Sequence, residues 1–190
     1  QMLNRLCRKE EIALVNIVRS GAQKALLAED GADHVLDSSE PGFEDALEET
    51  LAETGATMAF DAIGGGTMAS TLLTAMERAQ ARTMATYSRY GSPAEKRVYV
   101  YGTLDPSPTV LTRSHGFAWN VGGWLLPNFL AAAGPETTKR LHARVVADLT
   151  TVFASTYRTS LALADLTDPD TLRALTRKQT GGKAVIERFA

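Results

Sequence analysis

"IALVNIVRSGAQKALLAEDGADHVLD", residues 12–37, decides the fold class. Ile12 to Val18 is a near-continuous β-favouring run, the kind of strand that a parallel sheet buries on both faces. It ends in Arg19, Ser20 and Gly21, and a helical pattern opens immediately, running from about Ala22 to Asp30. Gly31 suits a left-handed helix terminus, and "HVLD" (His34 to Asp37) is a second brief strand. Strand, helix and strand with short joints make a βαβ unit, whose crossover is right-handed.

The same alternation continues in both directions. Upstream, Met2, Leu3, Leu6 and Cys7 recur at helical spacing on one face, so the chain opens inside an amphipathic helix. Downstream, Phe43, Ala46, Leu47, Thr50 and Leu51 mark a helix whose Glu44, Asp45, Glu48 and Glu49 face outward and which Gly55 ends. "TMAFDAIGGG" (residues 57–66) follows as strand and glycine turn, Met68, Leu72 and Met76 mark another helix, and "RVYVYG" (residues 97–102) another strand. Repeated strand–helix alternation predicts an α/β fold with a parallel sheet. Residues 79–96 read as an insertion in which Tyr87, Arg89 and Tyr90 could form a lid or simply loop surface. Later, Leu141, Val145, Leu149, Val152 and Phe153 predict a helix over 138–153, Asp168 and Pro169 open a short helix, and "GGKAVIERF" (residues 181–189) reads as a closing strand.

Composition narrows the function. Of 190 residues, 20 are Lys or Arg and 22 Asp or Glu, and a net charge of −2 gives no electrostatic case for nucleic acid or an anionic membrane. Cys7 is the only cysteine, which fits a reducing compartment and a cytoplasmic protein. The most apolar window, residues 116–133, is interrupted by Asn120, Gly122, Gly123, Pro127 and Asn128, and so reads as a buried or interface segment rather than a bilayer span of about 20 apolar residues. His34, His115 and His142 are scattered and predict no metal site, and no nucleophile elbow surrounds any serine.

Four stretches in order, "ALVNIVRSGAQKALLAEDGADHVLDSS", "GATMAFDAIGGG", "VYVYGTL" and the closing "GGKAVI", resemble the cofactor-binding half of the medium-chain dehydrogenase/reductase superfamily. The nearest resemblance is to its zinc-independent quinone oxidoreductase and enoyl-thioester reductase branch. It implies a Rossmann-like doubly wound parallel sheet over residues 1–160, and a C-terminal segment, 161–190, returning to a GroES-like substrate domain. Family members carry that substrate domain first, then a strand and glycine-rich turn that open the helix with which this sequence begins. Neither is present in the 190 residues, so the expectation is a C-terminal portion of a longer polypeptide, which an intact mass near 20.4 kDa would contradict. The absent strand belongs in the middle of the sheet.

What the resemblance implies for the site follows strand by strand. The residue ending the second strand of a dinucleotide-binding fold meets the adenosine ribose, and an arginine there accommodates the 2′-phosphate of NADP(H) where an acid would reject it. That residue is Arg19; Ser20 adds a hydroxyl, Gly21 permits close approach, and Gln23 and Lys24 are further candidates, Lys24 reading equally as a solvated helix residue. Ala62, Ile63 and Gly64 stand where a cofactor passes the third strand, although a loop needing positive φ accounts for the same glycines. Tyr101, Gly102 and Leu104 resemble the nicotinamide-side turn. "GFAWNVGGWLL" (residues 116–126) resembles an aromatic segment near the nicotinamide and the subunit interface, which singles out Phe117 and Trp119; Lys183 is a weaker candidate beside an ordinary surface reading.

The expectation is an NADPH-dependent, zinc-independent reductase delivering hydride to a quinone or an α,β-unsaturated carbonyl compound, a homodimer acting on a small molecule. Reduction of 2-enoyl thioesters and a non-catalytic dinucleotide-binding module stay open beside it. No catalytic residue is assigned, since any proton donor would come from the absent domain. A methyltransferase-like domain is disfavoured by the basic residue at the end of the second strand.

Overall fold

The computed structural model describes all residues except 156, 158, 177–182 and 188–190. The chain divides into two compact units, residues 3–143 with Gln1 and residues 144–190 with Met2.

The first unit is a Rossmann-like α/β layer structure. α1 (Met2–Lys9) leads to β1 (Val15–Val18), α2 (Gly21–Glu29), β2 (His34–Asp37), α3 (Phe43–Thr54) and β3 (Met58–Asp61). Then come β4 (Gly64–Gly66), α4 (Met68–Arg82), β5 (Lys96–Val100), β6 (Asp105–Thr109), β7 (Trp119–Gly123) and the first part of α5 (Leu126–Ala147). β1 pairs in parallel with β2, and β3, β5 and β7 form a parallel three-stranded group with β5 central. No ladder joins β1 to β3. The described strands thus form two parallel groups, β2-β1 and β3-β5-β7, and β1 and β3 line one apolar slot.

The core explains why this half-sheet holds. Leu47 and Leu51 of α3 meet Leu72, Leu73, Met76 and Ala79 of α4 over Val98 of β5, all nearly or fully buried. Leu47 and Leu51 stand four apart on α3, and Leu72 or Leu73, Met76 and Ala79 three or four apart on α4, so both apolar stripes face inward together. Removing the side chain of Leu73, which is 0 % exposed, would cost about 2–5 kcal/mol through lost transfer energy and the cavity left behind. Glu48 on α3 pairs with Arg78 and Arg82 on α4 at the rim of the same contact.

Several expectations are sharpened. β1 starts at Val15, and Ile12 is exposed, because the chain climbs out of the layer between α1 and the strand. On α1 the buried residues are Asn4 and Cys7, whereas Met2 and Leu3 stay exposed. Asn4 is buried because its amide is satisfied: it donates to the Asp30 carbonyl at 3.1 Å and accepts from Asn16 at 3.3 Å, tying α1 to the end of α2 and to β1. Gly31 and Gly55 end α2 and α3 with φ of 72° and 68°, as their positions predict. α4 runs on to Arg82, with Ala79 buried, so the insertion starts later than residue 79.

In the second unit the end of α5 precedes β8 (Thr159–Ala162), a 3₁₀ turn (Leu163–Thr167), α6 (Pro169–Thr176) and β9 (Ala184–Glu187), which pairs in parallel with β8. Asp168 caps α6 as predicted, its carboxylate accepting from the Thr171 amide at 2.9 Å and hydroxyl at 2.8 Å. The helix expected over 138–153 begins earlier and ends at Ala147, and Gly134 with φ 81° breaks α5 ahead of Pro135. Part of the closing "GGKAVIERF" lies outside the described residues; Ala184 to Glu187 form the strand. Among the described residues no helix is long and apolar enough to cross a membrane.

Candidate functional site

The C-terminal ends of parallel strands are where an open α/β sheet leaves room for a ligand, because the helices start there and the loops diverge. In the first unit three pieces of local structure occupy that edge.

The first follows β1. Val18 is buried, and the chain emerges at Arg19, which is exposed and whose guanidinium has no partner among the described residues. Ser20 caps α2, its hydroxyl accepting from the Gln23 amide at 3.4 Å, while the Gln23 side chain reaches back to accept from the Arg19 amide at 2.9 Å. This reciprocal arrangement fixes the backbone around the arginine and leaves its head group free. Gly21 has no positive φ, and a Cβ there would meet nothing within 4 Å, so the glycine answers to no contact within the chain. Lys24 is engaged with Glu40 at 3.2 Å, in keeping with its reading as an ordinary helix residue.

The second follows β3. The buried Asp61 carboxylate accepts from the Ile63 amide at 2.7 Å and the Gly64 amide at 3.3 Å, folding Ala62–Gly64 into a tight turn. That turn zips onto the segment after β5: Tyr101 donates to the Asp61 carbonyl, Leu104 to that of Ala62 and Asp105 to that of Ile63. β4 then pairs in parallel with β6. Gly64 and Gly66 have φ of 82° and 76°, and a Cβ on Gly64 would come within 2.7 Å of the Gly102 carbonyl. A Cβ on Gly102 would strike the Ala62 carbonyl. These glycines are required by backbone meeting backbone, which accounts for the run "GGG" without a ligand.

The third is an open cleft of about 760 Å³ at the ends of β5 and β7. Tyr101, Gly102 and Thr103 line one side, and Trp124, Leu125, Asn128 and Phe129 the other. The Trp124 amide donates to the Val100 carbonyl at 2.8 Å, and its ring lies 5.8 Å from that of Phe129. An open, mostly apolar cleft lined by one side-chain amide (Asn128) and two hydroxyls (Tyr101, Thr103) suits a flat, mostly apolar ring.

Arg19, Ser20 and Gln23 thus form one cluster, and Ala62, Ile63, Gly64, Tyr101, Gly102 and Leu104 a second. Phe117 and Trp119 join neither. Trp119 opens β7 and sits in register with Lys96 at the start of β5, so both aromatics lie at the N-terminal end of the sheet. There Phe117 is 80 % exposed against Tyr90, and Trp119 packs edge-on to His115. The aromatics of that segment that line the cleft are Trp124 and, from α5, Phe129. The sequence does not separate them from Trp119, because the intervening strand contains Asn120, Gly122 and Gly123, a weak strand signal. Lys183 donates to Ser155 at 2.8 Å in the second unit. No group of three or more ligating side chains able to hold a metal occurs among the described residues.

A guanidinium with no partner among the described residues and an open glycine at the capped start of a helix have the chemistry to take a phosphate. The 190 residues hold no glycine-rich turn ahead of α1 to match the diphosphate of a dinucleotide.

No protein-family model matches the sequence, and no curated protein matches it. Solved structures do. A protein of Mesorhizobium loti provisionally assigned as an NADPH:quinone reductase superposes with a TM-score of 0.71 at 23 % identity, over 98 % of this chain and 49 % of that one. A protein of Bacillus thuringiensis with the same provisional assignment superposes with a TM-score of 0.71 at 15 % identity, over 99 % of this chain and 52 % of that one. The chain therefore spans about half the length of the solved structures it matches, and what it shares with them is the Rossmann-like fold.

Proposed function

We propose that this chain is the nucleotide-binding part of an NADPH-dependent oxidoreductase that transfers hydride to a quinone or an α,β-unsaturated carbonyl compound. The observation that carries the reading is Arg19, held by its backbone at the end of β1 with its guanidinium unengaged among the described residues. A guanidinium in that place offers parallel charge-assisted bonds to a 2′-phosphate, and the Ser20 hydroxyl and the start of α2 add donors to the same corner. The bound cofactor supplies the hydride. Tyr101–Leu104 orient a ring through their backbone, and Trp124, Leu125 and Phe129 shield it from water. The provisional assignments of the two solved proteins agree with this reading. A homodimeric, cytoplasmic enzyme is part of the same proposal.

Titration of NADPH and NADH, followed by tryptophan fluorescence, tests it. NADPH is expected to bind more tightly, with Arg19→Ala erasing the preference and leaving NADH affinity unchanged. Quenching is expected to survive Trp119→Phe and to vanish in Trp124→Phe, because only Trp124 lines the cleft. Equal affinity for both nucleotides in the unaltered protein would remove the phosphate from the reading. Dinucleotide binding without acceptor reduction, in a polypeptide of the length of the solved proteins, would favour a non-catalytic binding module.

A further inference from the structure

The turn after β2 lies against the corner that Arg19 opens. Val18 and Asp37 are register partners at the ends of β1 and β2, and Ser38 donates both its amide, at 2.8 Å, and its hydroxyl, at 3.0 Å, to the Val18 carbonyl. Residues 38–40 are thereby fixed beside Arg19 and the first turn of α2. Lys24 belongs to that turn, its amide donating to the Ser20 carbonyl, and its ammonium meets both carboxylate oxygens of Glu40 at 3.2 Å. The same ammonium reaches Asp37 electrostatically: the Ser39 amide and hydroxyl hold the Asp37 carboxyl below its ordinary pKa, and Lys24 adds to that effect against burial. Two bases thus share the corner with two acids. Lys24 is paired with Glu40, and the Arg19 guanidinium has no partner among the described residues.

On the nucleotide reading given above, we infer that Glu40 is a specificity-determining residue: its carboxylate competes with the ribose 2′-phosphate for the Lys24 ammonium and so sets how far the corner prefers NADPH to NADH. The two side chains are 41 % and 54 % exposed, and an ion pair that open contributes little to holding the fold together. Helical side chains lean toward the helix N-terminus, so Lys24 reaches back over the face of Gly21, where a Cβ would meet nothing and a ligand has room. A 2′-phosphate offers the ammonium more charge than one carboxylate does, but it must enter beside Glu40, whose charge repels it. A bare 2′-hydroxyl carries no charge and leaves the ion pair as it stands. Arg19, with no acid attached, supplies the preference, and Glu40 limits it.

Adenosine 2′,5′-bisphosphate and adenosine 5′-monophosphate differ only in the 2′-phosphate, and calorimetric titration of each into the chain and its variants is the test. Glu40→Gln is expected to tighten the bisphosphate about three- to tenfold, to leave the monophosphate within about twofold, and to leave the thermal midpoint unchanged. The same Glu40→Gln change made in a Lys24→Met chain is expected to bring no gain, whereas a general relief of repulsion would bring it there too. A gain that persists without Lys24, or a bisphosphate affinity that Glu40→Gln leaves unaltered, overturns the inference. Arg19→Ala keeps that failure apart from failure of the nucleotide reading. Bisphosphate binding lost in Arg19→Ala yet indifferent to Glu40→Gln overturns the role of Glu40 alone. Equal affinity for the two probes, or no binding of either, in both the unaltered chain and Glu40→Gln overturns the phosphate corner and the role of Glu40 together.

Discussion

The two ends of the β3-β5-β7 group are built on opposite plans. At the C-terminal end the turns are held by backbone bonds and glycines, Tyr101 is half exposed and the cleft beside Trp124 is open; at the end of β1, in the other strand pair, the Arg19 guanidinium has no partner among the described residues. At the N-terminal end polar side chains are buried and engaged. Lys96, 0 % exposed at the start of β5, meets Glu77 of α4 at 2.6 Å and donates to the Ala94 carbonyl at 3.0 Å. The second carboxylate oxygen of Glu77 accepts from the Ser92 amide at 2.7 Å, and Gly91 and Gly116 pack so closely on the carboxylate that neither could carry a Cβ without displacing it. One ion pair thus clamps α4, the end of the insertion and the approach to β7. Rigidity in this unit thus lies at the N-terminal end of these strands, where charge is buried and paired, while the exposed side chains and the open cleft lie at the C-terminal end.

Breaking the clamp is expected to have the largest effect. Glu77→Ala strands the Lys96 ammonium in the interior and orphans the Ser92 amide, at a cost of about 3–5 kcal/mol in urea unfolding. Glu77→Leu combined with Lys96→Met is expected to recover most of that loss, because no unpaired charge remains. A double variant as unstable as the single one would mean that the clamp acts through the Ser92 and Gly116 contacts rather than through its charge.

Two glycines sharpen the contrast from the ligand side. Gly102→Ala drives a methyl group into the Ala62 carbonyl and is expected to destabilise by about 1–3 kcal/mol while distorting the turn that borders the cleft. Gly21→Ala meets nothing and removes unfolded-chain entropy at the first position of α2, so thermal stability is expected to hold or rise by up to about 1 kcal/mol. Nucleotide affinity is nevertheless expected to fall in Gly21→Ala, if the open space above it serves a ligand. Arg19→Ala is expected to leave stability unchanged and to lower NADPH affinity about 10- to 100-fold in the same titration. Unaltered affinity in both variants would detach the β1 corner from nucleotide binding.

How much of this was legible in the sequence depended on the range of the interaction. Gly31, Gly55 and Asp168 act within one or two turns of themselves, and their roles could be read from neighbours in the chain. The position of Arg19 at the end of β1 is legible because the strand before it and the helix after it are both strong local signals. Phe117 and Trp119 were placed on the wrong side of a strand boundary, because a strand of Asn, Val and two glycines does not announce its ends, and five residues carry the chain from one edge of the sheet to the other. The clamp was invisible for a different reason. Glu77 lies in a helical pattern where a single acid reads as solvated, and its partner Lys96 is 19 residues away at the end of what reads as an insertion. His115 likewise looked like one of three scattered histidines, whereas Thr74, 41 residues distant, holds its ring.

That histidine yields the smallest and most discriminating prediction. His115 is fully buried beside the clamp; its Nδ1 lies 3.1 Å from the Thr74 hydroxyl, its Nε2 has no partner among the described residues, and its ring abuts Trp119. Burial pushes its pKa below the ordinary 6.5, with the nearby Lys96 ammonium acting in the same direction against the Thr112 backbone and Glu77. With a folded-state pKa below the unfolded one, the unfolded chain binds the proton first. The contribution of His115 to stability is therefore fully present above about pH 6.5 and declines as the pH falls below it, until the folded-state pKa is passed. Unfolding free energy measured between pH 7.5 and 5 is expected to drop as the pH falls, and His115→Gln is expected to flatten that drop while lowering stability at pH 7.5 through imperfect packing against Trp119. Trp119 fluorescence should follow the same titration, since the ring it abuts is the group being charged, whereas Trp124 at the opposite end of β7 should stay constant. A response at Trp124 as large as that at Trp119 would show that protonation loosens the whole sheet, and the two ends would then share one cooperative unit rather than divide rigidity and access between them.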